Sequence, residues 1–354
     1  MKIKRKAIAL VSGGLDSMLA VKVIQEQGIE VEAVNFYTGF CVEGHTHAIR
    51  KKDSKKDKRN NALWVAETLG IKMHIEDISE EYKDIVINPK HGYGQNLNPC
   101  LDCKVFMVNQ AQLMLNRARD LADDGGFDFI ITGEVIGQRP KSQRKETMPL
   151  IARESGATDR LLRPLCAKNL PPTLPELEGW VNREELFDFS GRNRKPQMAL
   201  AEKYGFVDYA QPAGGCCFLT DKSYSDKLSD LWRARGERDY ELDDIMLLKV
   251  GRHLRPKENF KMIISREEGE NRFLEGYRKV FTHLVCTSHA GPLTLIDGNP
   301  TEEDLLLSAR ILTRFCKARD ATEATVEIHY QNGVVKPLTV TPMTASDINP
   351  EWHI

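Results

Sequence analysis

The residues best suited to chemistry lie at the end of the first apolar segment. Ser12-Gly13-Gly14-Leu15-Asp16-Ser17 directly follows the run Ala7-Ile8-Ala9-Leu10-Val11. Two glycines let the backbone approach an anion without a Cβ in the way. Ser12 and Ser17 add hydroxyl donors, and a helix beginning near Ser17 would direct its N-terminal amides at the same spot. The pattern therefore predicts a phosphate-binding loop.

This loop differs from the phosphate loop of common NTPases. The common loop ends in Gly-Lys-Ser or Gly-Lys-Thr, and neither tripeptide occurs in this chain. Asp16 stands where the lysine would be expected, and a carboxylate beside phosphates indicates a bound Mg²⁺. A glycine–serine turn without chemical meaning is the alternative. The strand predicted before the loop and the helix predicted after it favour the functional interpretation.

The Ser-Gly-Gly-x-Asp-Ser pattern after a first strand resembles the pyrophosphate loop of the N-type ATP pyrophosphatases. The resemblance implies ATP as a substrate and cleavage between its α and β phosphates. It further implies that a carbonyl-type oxygen is adenylated, that pyrophosphate is released, and that a nucleophile then displaces AMP.

Cysteines form two further clusters. Cys100-Leu101-Asp102-Cys103 precedes a long helical segment, and a helix N-terminus stabilises thiolates, which are good nucleophiles and metal ligands. Gly214-Gly215-Cys216-Cys217-Phe218 follows much later. With eight cysteines and no expected secretory signal, the chain indicates a reducing compartment, where metal, cluster or catalytic roles outrank disulfides. Core packing is expected for the four isolated cysteines, which are Cys41, Cys166, Cys286 and Cys316.

Both clusters are similar to the cysteine motifs of tRNA 2-thiouridylases, in which Asn-Pro-x-x-x-Cys is followed later by Gly-x-Cys-Phe. The resemblance implies that Cys103 is the first catalytic cysteine and Cys217 the second, with Cys216 as the alternative one residue away. Cys100 departs from the pattern, because some relatives carry aspartate there.

Three converging cysteines resemble the cluster-dependent tRNA thiolases. That resemblance implies a 4Fe–4S cluster on three thiolates, with one iron left open for a sulfide. The alternatives are a zinc ion held by Cys100, Cys103, Cys216 and Cys217, and a persulfide relay without metal. The cluster is favoured over zinc because adjacent cysteines chelate one zinc ion poorly.

A third motif begins at Thr132. The stretch Thr132-Gly133-Glu134-Val135-Ile136-Gly137-Gln138 resembles the Thr-Gly-acidic-x-x-Gly-Gln segment of tRNA 4-thiouridine synthetases, and Arg163-Pro164-Leu165 matches the Arg-Pro-Leu that follows there. The resemblance implies that Gly133 and Gln138 lie beside the nucleotide. A plain strand-to-loop turn is the alternative.

Strand-like and helix-like segments alternate in the first half of the chain. The patterns predict strands over Ala7–Val11, Val31–Phe36, Lys72–Glu76 and Phe127–Thr132, and helices over Met18–Gln27, Arg59–Leu69 and Val105–Ala122. This alternation predicts an α/β fold with a doubly wound parallel sheet. Ligands of such sheets bind beyond the carboxyl ends of the strands, where the loop at Ser12 and the segment after Thr132 both fall.

The predicted domains are a nucleotide-binding domain over 1–168, a connector over 169–240 that carries the second cysteine cluster, and a smaller α+β domain over 241–354. In the last, Lys249-Val250-Gly251-Arg252-His253-Leu254-Arg255 and Ile263-Ile264-Ser265-Arg266 resemble an RNA-binding domain of ribosome quality-control factors. The resemblance implies a local basic patch of Lys249, Arg252, Arg255 and Arg266, although the net charge of the chain is −1. A solvated surface on an oligomerisation domain is the alternative.

Together these features predict an ATP-dependent tRNA sulfurtransferase that replaces a uridine carbonyl oxygen with sulfur. The expected partners are tRNA, a sulfur donor (a cysteine desulfurase or sulfide) and a second copy in a homodimer. The apolar runs are far shorter than the ~20 residues that span a bilayer, so no contact with a membrane is expected. The expected location is the cytoplasm. The rivals are an amide or lysidine-type ligase and a non-enzymatic RNA-binding factor. The position of the sulfur, C2 or C4, stays open.

Overall fold

A computed structural model describes residues 4–42, 59–121, 126–209 and 217–354. These residues form two compact units. The N-terminal unit comprises the described residues of 1–38 and 59–216, and the C-terminal unit comprises those of 39–58 and 217–354. No helix in these ranges is both long enough and apolar enough to cross a bilayer.

The N-terminal unit has a five-stranded sheet in the order β3-β2-β1-β4-β5, and all its strand pairs are parallel. Its strands are β1 (Lys6–Leu10), β2 (Glu30–Tyr37), β3 (Met73–Asp77), β4 (Phe129–Thr132) and β5 (Leu161–Leu162). Its helices are α1 (Leu15–Gln25), α2 (Asn61–Leu69), α3 (Ser79–Ile87), α4 (Cys100–Leu121), α5 (Thr147–Glu154), α6 (Leu174–Leu177) and α7 (Lys195–Lys203). The predicted doubly wound parallel sheet is confirmed.

The central strand β1 explains why this sheet is covered on both faces. Ala7 and Ala9 pack into the core on the α1 side, whereas Ile8 packs into the opposite core with α4. Successive side chains of a strand point to opposite faces, so a run that is apolar at every position indicates burial on both sides. The sheet is thus held between two helical layers.

The strand order reverses at β1. From β1 the chain builds outward through β2 and β3 on one side, and β4 then pairs with the other side of β1. The ends of these two strands are level, because Leu10 lies opposite Thr132. Ligands of doubly wound sheets bind at such a reversal, beyond the carboxyl ends of the strands. The loops that follow β1 and β4 are therefore the place to look for a site.

The segment predicted as a connector belongs in part to the N-terminal unit. Residues 169–209 are assigned to that unit. Val181, Leu186 and Leu200 are buried in the same core as β1 and α1, which explains the assignment. Helix α7 also packs against α1.

The C-terminal unit has a six-stranded antiparallel sheet in the order β11-β10-β8-β9-β7-β6. Its strands are β6 (Arg252–Lys257), β7 (Phe260–Ile264), β8 (Thr282–Cys286), β9 (Thr294–Gly298), β10 (Ala324–His329) and β11 (Val335–Val340). Its helices are α8 (Lys222–Arg235), α9 (Leu242–Leu247), α10 (Glu268–Glu275) and α11 (Glu302–Arg314). This is the predicted separate α+β domain, and β10 and β11 form a hairpin whose turn contains Asn332-Gly333.

Candidate nucleotide site and cysteine pairs

The loop after β1 is shaped by its glycines. Gly13 has a φ of +80°, in the left-handed region that favours glycine. A Cβ on Gly13 would lie 2.6 Å from the Cβ of Asn61 and 2.7 Å from the backbone N of Ala62, so the loop contacts the start of α2 directly. Gly14 caps α1, and its carbonyl oxygen accepts a hydrogen bond of 2.8 Å from Ser17 Oγ. With glycine at its N-cap, α1 begins without a side chain at the position that precedes its first backbone amides.

The segment after β4 lies directly on this loop. A Cβ on Gly133 would come within 2.4 Å of the backbone C and O of Asp16 and of the backbone N of Ser17. Gln138 Nε2 donates a hydrogen bond of 2.6 Å to Asp16 Oδ2. The structure thus brings together Gly133, Gln138 and Asp16, which the sequence assigns to the nucleotide site from separate motifs.

Two residues that sequence reasoning missed complete this group. Arg194, just before α7, has its Nη2 3.4 Å from Asp16 Oδ1. Gln197 is almost fully buried and donates a hydrogen bond of 3.0 Å from Nε2 to Gln138 Oε1. No sequence signal marks either residue, since Arg194 and Asp16 are 178 positions apart.

Buried polar atoms at this site lack protein partners. Among the described residues, Arg194 Nε and Gln197 Oε1 are buried and make no hydrogen bond. A buried polar atom left unpaired costs about 1–3 kcal/mol. A ligand that pairs with these atoms would recover that free energy, so both are candidate ligand contacts.

The first cysteine pair lies in the first turn of α4. Cys100 and Cys103 are three residues apart and therefore share one face of the helix, and both are half-buried. Cys100 Sγ donates a hydrogen bond of 3.3 Å to Ser142 Oγ. Ser142 belongs to residues 133–143, which we call the bridging segment. One end of this segment contacts the phosphate loop and the other contacts the cysteine pair.

A buried carboxylate anchors the bridging segment. Glu134 accepts hydrogen bonds of 2.9 Å from Arg163 Nε and 3.0 Å from Thr132 Oγ1, and Lys104 Nζ lies 3.6 Å from its other oxygen. Burial opposes ionisation of Glu134, but Lys104 and Arg163 outweigh it and hold the pKa of this carboxyl below its usual value. The ionised carboxylate fixes Lys104, the neighbour of Cys103 in the chain.

The second cysteine cluster is described only in part. Cys216 lies outside the described residues, whereas Cys217 belongs to the C-terminal unit. There Cys217 forms an isolated antiparallel bridge with Cys41, and both thiols are half-buried. Cys41 is therefore not the core residue that the sequence predicts. Cys166, Cys286 and Cys316 are buried as predicted, and burial raises the pKa of Cys166 to about 12.

The fit of a metal centre depends on donors close to Cys100 and Cys103. The described residues contain no group of three or more His, Cys, Asp or Glu side chains arranged to hold a metal ion. A cubane cluster on three thiolates needs a third thiolate beyond Cys100 and Cys103. The described residues by themselves do not form that site, so we derive no step through a metal centre.

Two of the four residues of the predicted basic patch are buried or paired with a carboxylate in the C-terminal unit. Lys249 is buried and donates a hydrogen bond to the carbonyl oxygen of Gly39, and burial lowers its pKa to about 8. Arg255 is paired on two sides with Asp230, with Nε–Oδ1 and Nη2–Oδ2 distances of 2.7 Å and 2.8 Å. A phosphate contact needs an accessible cation. Neither residue therefore supports the RNA-binding role predicted for it.

Two members of the predicted patch are accessible. Arg252 is exposed and lies 5.1 Å from the centre of the Phe315 ring. Arg266 is half-exposed and bonds Glu270 through Nε and Nη2. Of the four residues predicted to contact RNA, Arg252 and Arg266 therefore remain candidates.

Comparison with known proteins finds matches to two separate segments of the chain. Residues 5–154 match the family described as tRNA methyl transferase HUP domain, and residues 251–353 match the family described as NFACT protein RNA binding domain. The chain is 26% identical over 234 residues to tRNA-specific 2-thiouridylase MnmA 1 of Syntrophus aciditrophicus and 29% identical over 235 residues to tRNA-specific 2-thiouridylase MnmA of Geotalea uraniireducens.

These alignments cover 64% and 63% of this chain, respectively, and 56% of each relative, so the chain spans about half the length of the curated relatives it matches. Among solved structures, a 4-thiouridine synthetase–RNA complex with bound ATP is 21% identical, with a TM-score of 0.32 over 58% of this chain and 54% of that chain.

The contact between Gly133 and the phosphate loop generates a stability prediction. A Gly133→Ala change forces a Cβ into the backbone of Asp16 and Ser17, and we expect the free energy of unfolding to fall by about 1–3 kcal/mol. The matched control is Gly14→Ala, because the nearest atom to a Cβ there is Ser12 Oγ at 3.8 Å. We expect this control to stay within ~1 kcal/mol of the wild type in thermal unfolding. Equal melting temperatures for the two variants would contradict the close approach.

Proposed function

We propose that the chain is an ATP-dependent tRNA sulfurtransferase, because residues 5–154 match the tRNA methyl transferase HUP domain and residues 251–353 match the NFACT protein RNA binding domain. The observation that carries the proposal is the bridging segment. It contacts the phosphate loop at Asp16 through Gly133 and Gln138, and it contacts the thiol of Cys100 through Ser142. A nucleotide loop and a thiol pair joined in this way suit one reaction that uses both.

ATP binding is assigned to the loop Ser12–Ser17. The glycine backbone, the hydroxyls of Ser12 and Ser17 and the N-terminus of α1 all favour phosphate oxygens. Arg194 Nε, which makes no hydrogen bond within the described part of the chain, offers a further donor for the same anion. Mg²⁺ bound with ATP would be held by Asp16, whose carboxylate already has the Arg194 guanidinium beside it, and would neutralise phosphate charge.

In the first step, the uridine carbonyl oxygen attacks the α-phosphorus of ATP. The new bond joins that oxygen to phosphorus, and the bond to the β-phosphate breaks as pyrophosphate leaves. Backbone amides at the start of α1 and the Arg194 guanidinium are placed to stabilise charge on the phosphates as it develops. The uridine oxygen thereby becomes part of AMP, a far better leaving group than the original carbonyl oxygen.

In the second step, sulfur replaces AMP. We assign the sulfur nucleophile to a persulfide on Cys103 or Cys217, with a cysteine desulfurase or sulfide as the source. Cys103 is half-buried in the first turn of α4. The uridine must be presented unstacked from its neighbours for both steps. The names of the 2-thiouridylase relatives favour C2 as the position modified.

The proposal predicts a specific loss from cellular tRNA. Deleting the gene should remove one thiolated uridine from total tRNA, and the wild-type gene should restore it, as measured by mass spectrometry of nucleosides. Cys103→Ala should fail to restore it because one of the two proposed catalytic thiols is missing. Cys286→Ser is the matched control, since Cys286 lies in β8 and belongs to neither cysteine cluster.

An unchanged set of thionucleosides in the deletion strain would contradict the sulfurtransferase. Retention of an ATP-dependent tRNA product by Cys103→Ala would instead favour the ligase alternative, whose chemistry needs no thiol. Binding of tRNA without any release of pyrophosphate would favour the non-enzymatic alternative.

The 4Fe–4S cluster stays a prediction, and the metal content of the purified protein tests it. If it exists, anaerobically purified protein should contain about four iron atoms per chain. Cys100→Ala, Cys103→Ala and Cys217→Ala should each lose iron, whereas Cys286→Ser should keep it. Full thiolation by iron-free protein would contradict the cluster, and about one zinc ion per chain would favour the zinc alternative.

The tRNA contact predicted for Arg252 is tested by salt dependence. Arg252→Gln should weaken tRNA binding at all tRNA sequences and reduce the slope of log affinity against log salt by about 1, because one phosphate contact is lost. Lys222→Gln is the control, since Lys222 is an exposed cation on α8 paired with Asp226. Equal slopes of log affinity against log salt for the two variants would contradict a contact between Arg252 and a tRNA phosphate.

A further inference from the structure

The C-terminal unit holds a second pair of thiols, Cys41 and Cys217, and the proposed function gives no role to Cys41. The two residues oppose each other in an isolated antiparallel bridge, and Phe218 N donates a hydrogen bond of 2.9 Å to Phe40 O. A bond between these flanking residues makes Cys41–Cys217 a non-hydrogen-bonded pair, whose Cα atoms are typically about 4.5 Å apart. That spacing lies inside the ~4.4–6.8 Å range of disulfides.

The side chains of directly opposite residues in an antiparallel pair lie on the same face. Both thiols are half-buried, so small reagents and a substrate sulfur can reach them. The neighbouring Phe40 is fully buried and packs edge-on against Tyr240, with ring centres 5.4 Å apart. The backbone that carries Cys41 is thus held by packing.

A buried cation accompanies the pair. Lys249 donates from Nζ to the carbonyl oxygen of Gly39, two residues before Cys41. The same Nζ lies 5.2 Å from the centre of the ring of Phe218, the residue after Cys217. A buried ammonium therefore lies beside both of the segments that carry the two thiols.

We propose that Cys41 is the resolving cysteine for Cys217 in sulfur transfer, which rests on the proposed sulfurtransferase function. A donor persulfide first passes its outer sulfur to the Cys217 thiolate, leaving the donor as a thiolate. The outer sulfur of the Cys217 persulfide attacks the adenylated uridine carbon, and AMP departs with the former carbonyl oxygen. Uridine is then joined to Cys217 through a disulfide.

The Cys41 thiolate resolves this adduct. It attacks Cys217 Sγ, the bond between Sγ and the transferred sulfur breaks, and the electron pair leaves with the sulfur on uridine, which becomes the thiocarbonyl. The Cys41–Cys217 disulfide formed in this step holds the two oxidising equivalents. A dithiol reductant regenerates both thiols and becomes a disulfide itself.

The test is a single turnover of the full-length protein without reductant. Protein treated with inorganic polysulfide and freed of excess is mixed with ATP, Mg²⁺ and unmodified tRNA transcript. Peptide mass spectrometry under non-reducing conditions should find Cys41 linked to Cys217 in proportion to the thiouridine formed. Cys41→Ser should accumulate a protein–tRNA adduct on a denaturing gel, released by dithiothreitol, whereas Cys286→Ser should behave as the wild type.

The outcomes separate this inference from the function on which it rests. Wild-type protein that forms thiouridine without the Cys41–Cys217 link overturns the role of Cys41 alone, whether or not the Cys41→Ser variant folds. An adduct that accumulates in Cys103→Ser and not in Cys41→Ser also overturns it. Wild-type protein that forms neither pyrophosphate nor thiouridine overturns the sulfurtransferase, and the role of Cys41 in sulfur release with it.

Discussion

The candidate site depends on the contact between Gly133 and the backbone of Asp16 and Ser17. A Cβ at Gly133 would lie 2.4 Å from three of those backbone atoms, so the loops after β1 and β4 touch without any side chain between them. This contact is possible because the strand order reverses at β1 and because β1 and β4 end level with each other. With the two loops in contact, Gln138 can reach the Asp16 carboxylate, and Ser142 can reach Cys100.

The polar side chains of the candidate site are arranged around the Asp16 carboxylate. Asp16 is the one carboxylate of the phosphate loop, and Arg194 and Gln138 occupy its two oxygens. Arg194 Nε and Gln197 Oε1 are nevertheless left without hydrogen bonds among the described residues. A fold that served structure alone would gain by pairing these atoms. Their unpaired state is consistent with a site whose last hydrogen bonds come from a ligand.

The parts of this architecture that could be predicted from the sequence are those encoded locally. The apolar run of β1 followed by two glycines predicts both a strand and a loop that binds phosphate, because both properties belong to adjacent residues. The same holds for the cysteine pair at the start of α4 and for the β10–β11 hairpin. Arg194 and Gln197 could not be predicted, because only the packing of α7 against α1 brings them to the loop.

Predictions from the sequence were wrong for residues whose role depends on burial or on a distant partner. The sequence predicts Lys249 and Arg255 as members of a basic patch. In the structure Lys249 is buried, and Arg255 is paired with Asp230. The sequence predicts Cys41 as an isolated core residue, whereas in the structure it forms a bridge with Cys217. In each case a partner distant in sequence determines what the residue can do, and such partners leave no local pattern.

The central claim is that this site transfers AMP from ATP to a uridine carbonyl oxygen. The most direct measurement uses tRNA whose uracil carbonyl oxygens carry ¹⁸O, incubated with the protein, ATP, Mg²⁺ and a persulfide donor. Mass spectrometry then determines where the heavy oxygen goes. The account predicts AMP that carries ¹⁸O, together with pyrophosphate and thiouridine that has lost the label. AMP free of the label, or release of ADP and phosphate in place of AMP and pyrophosphate, would contradict it.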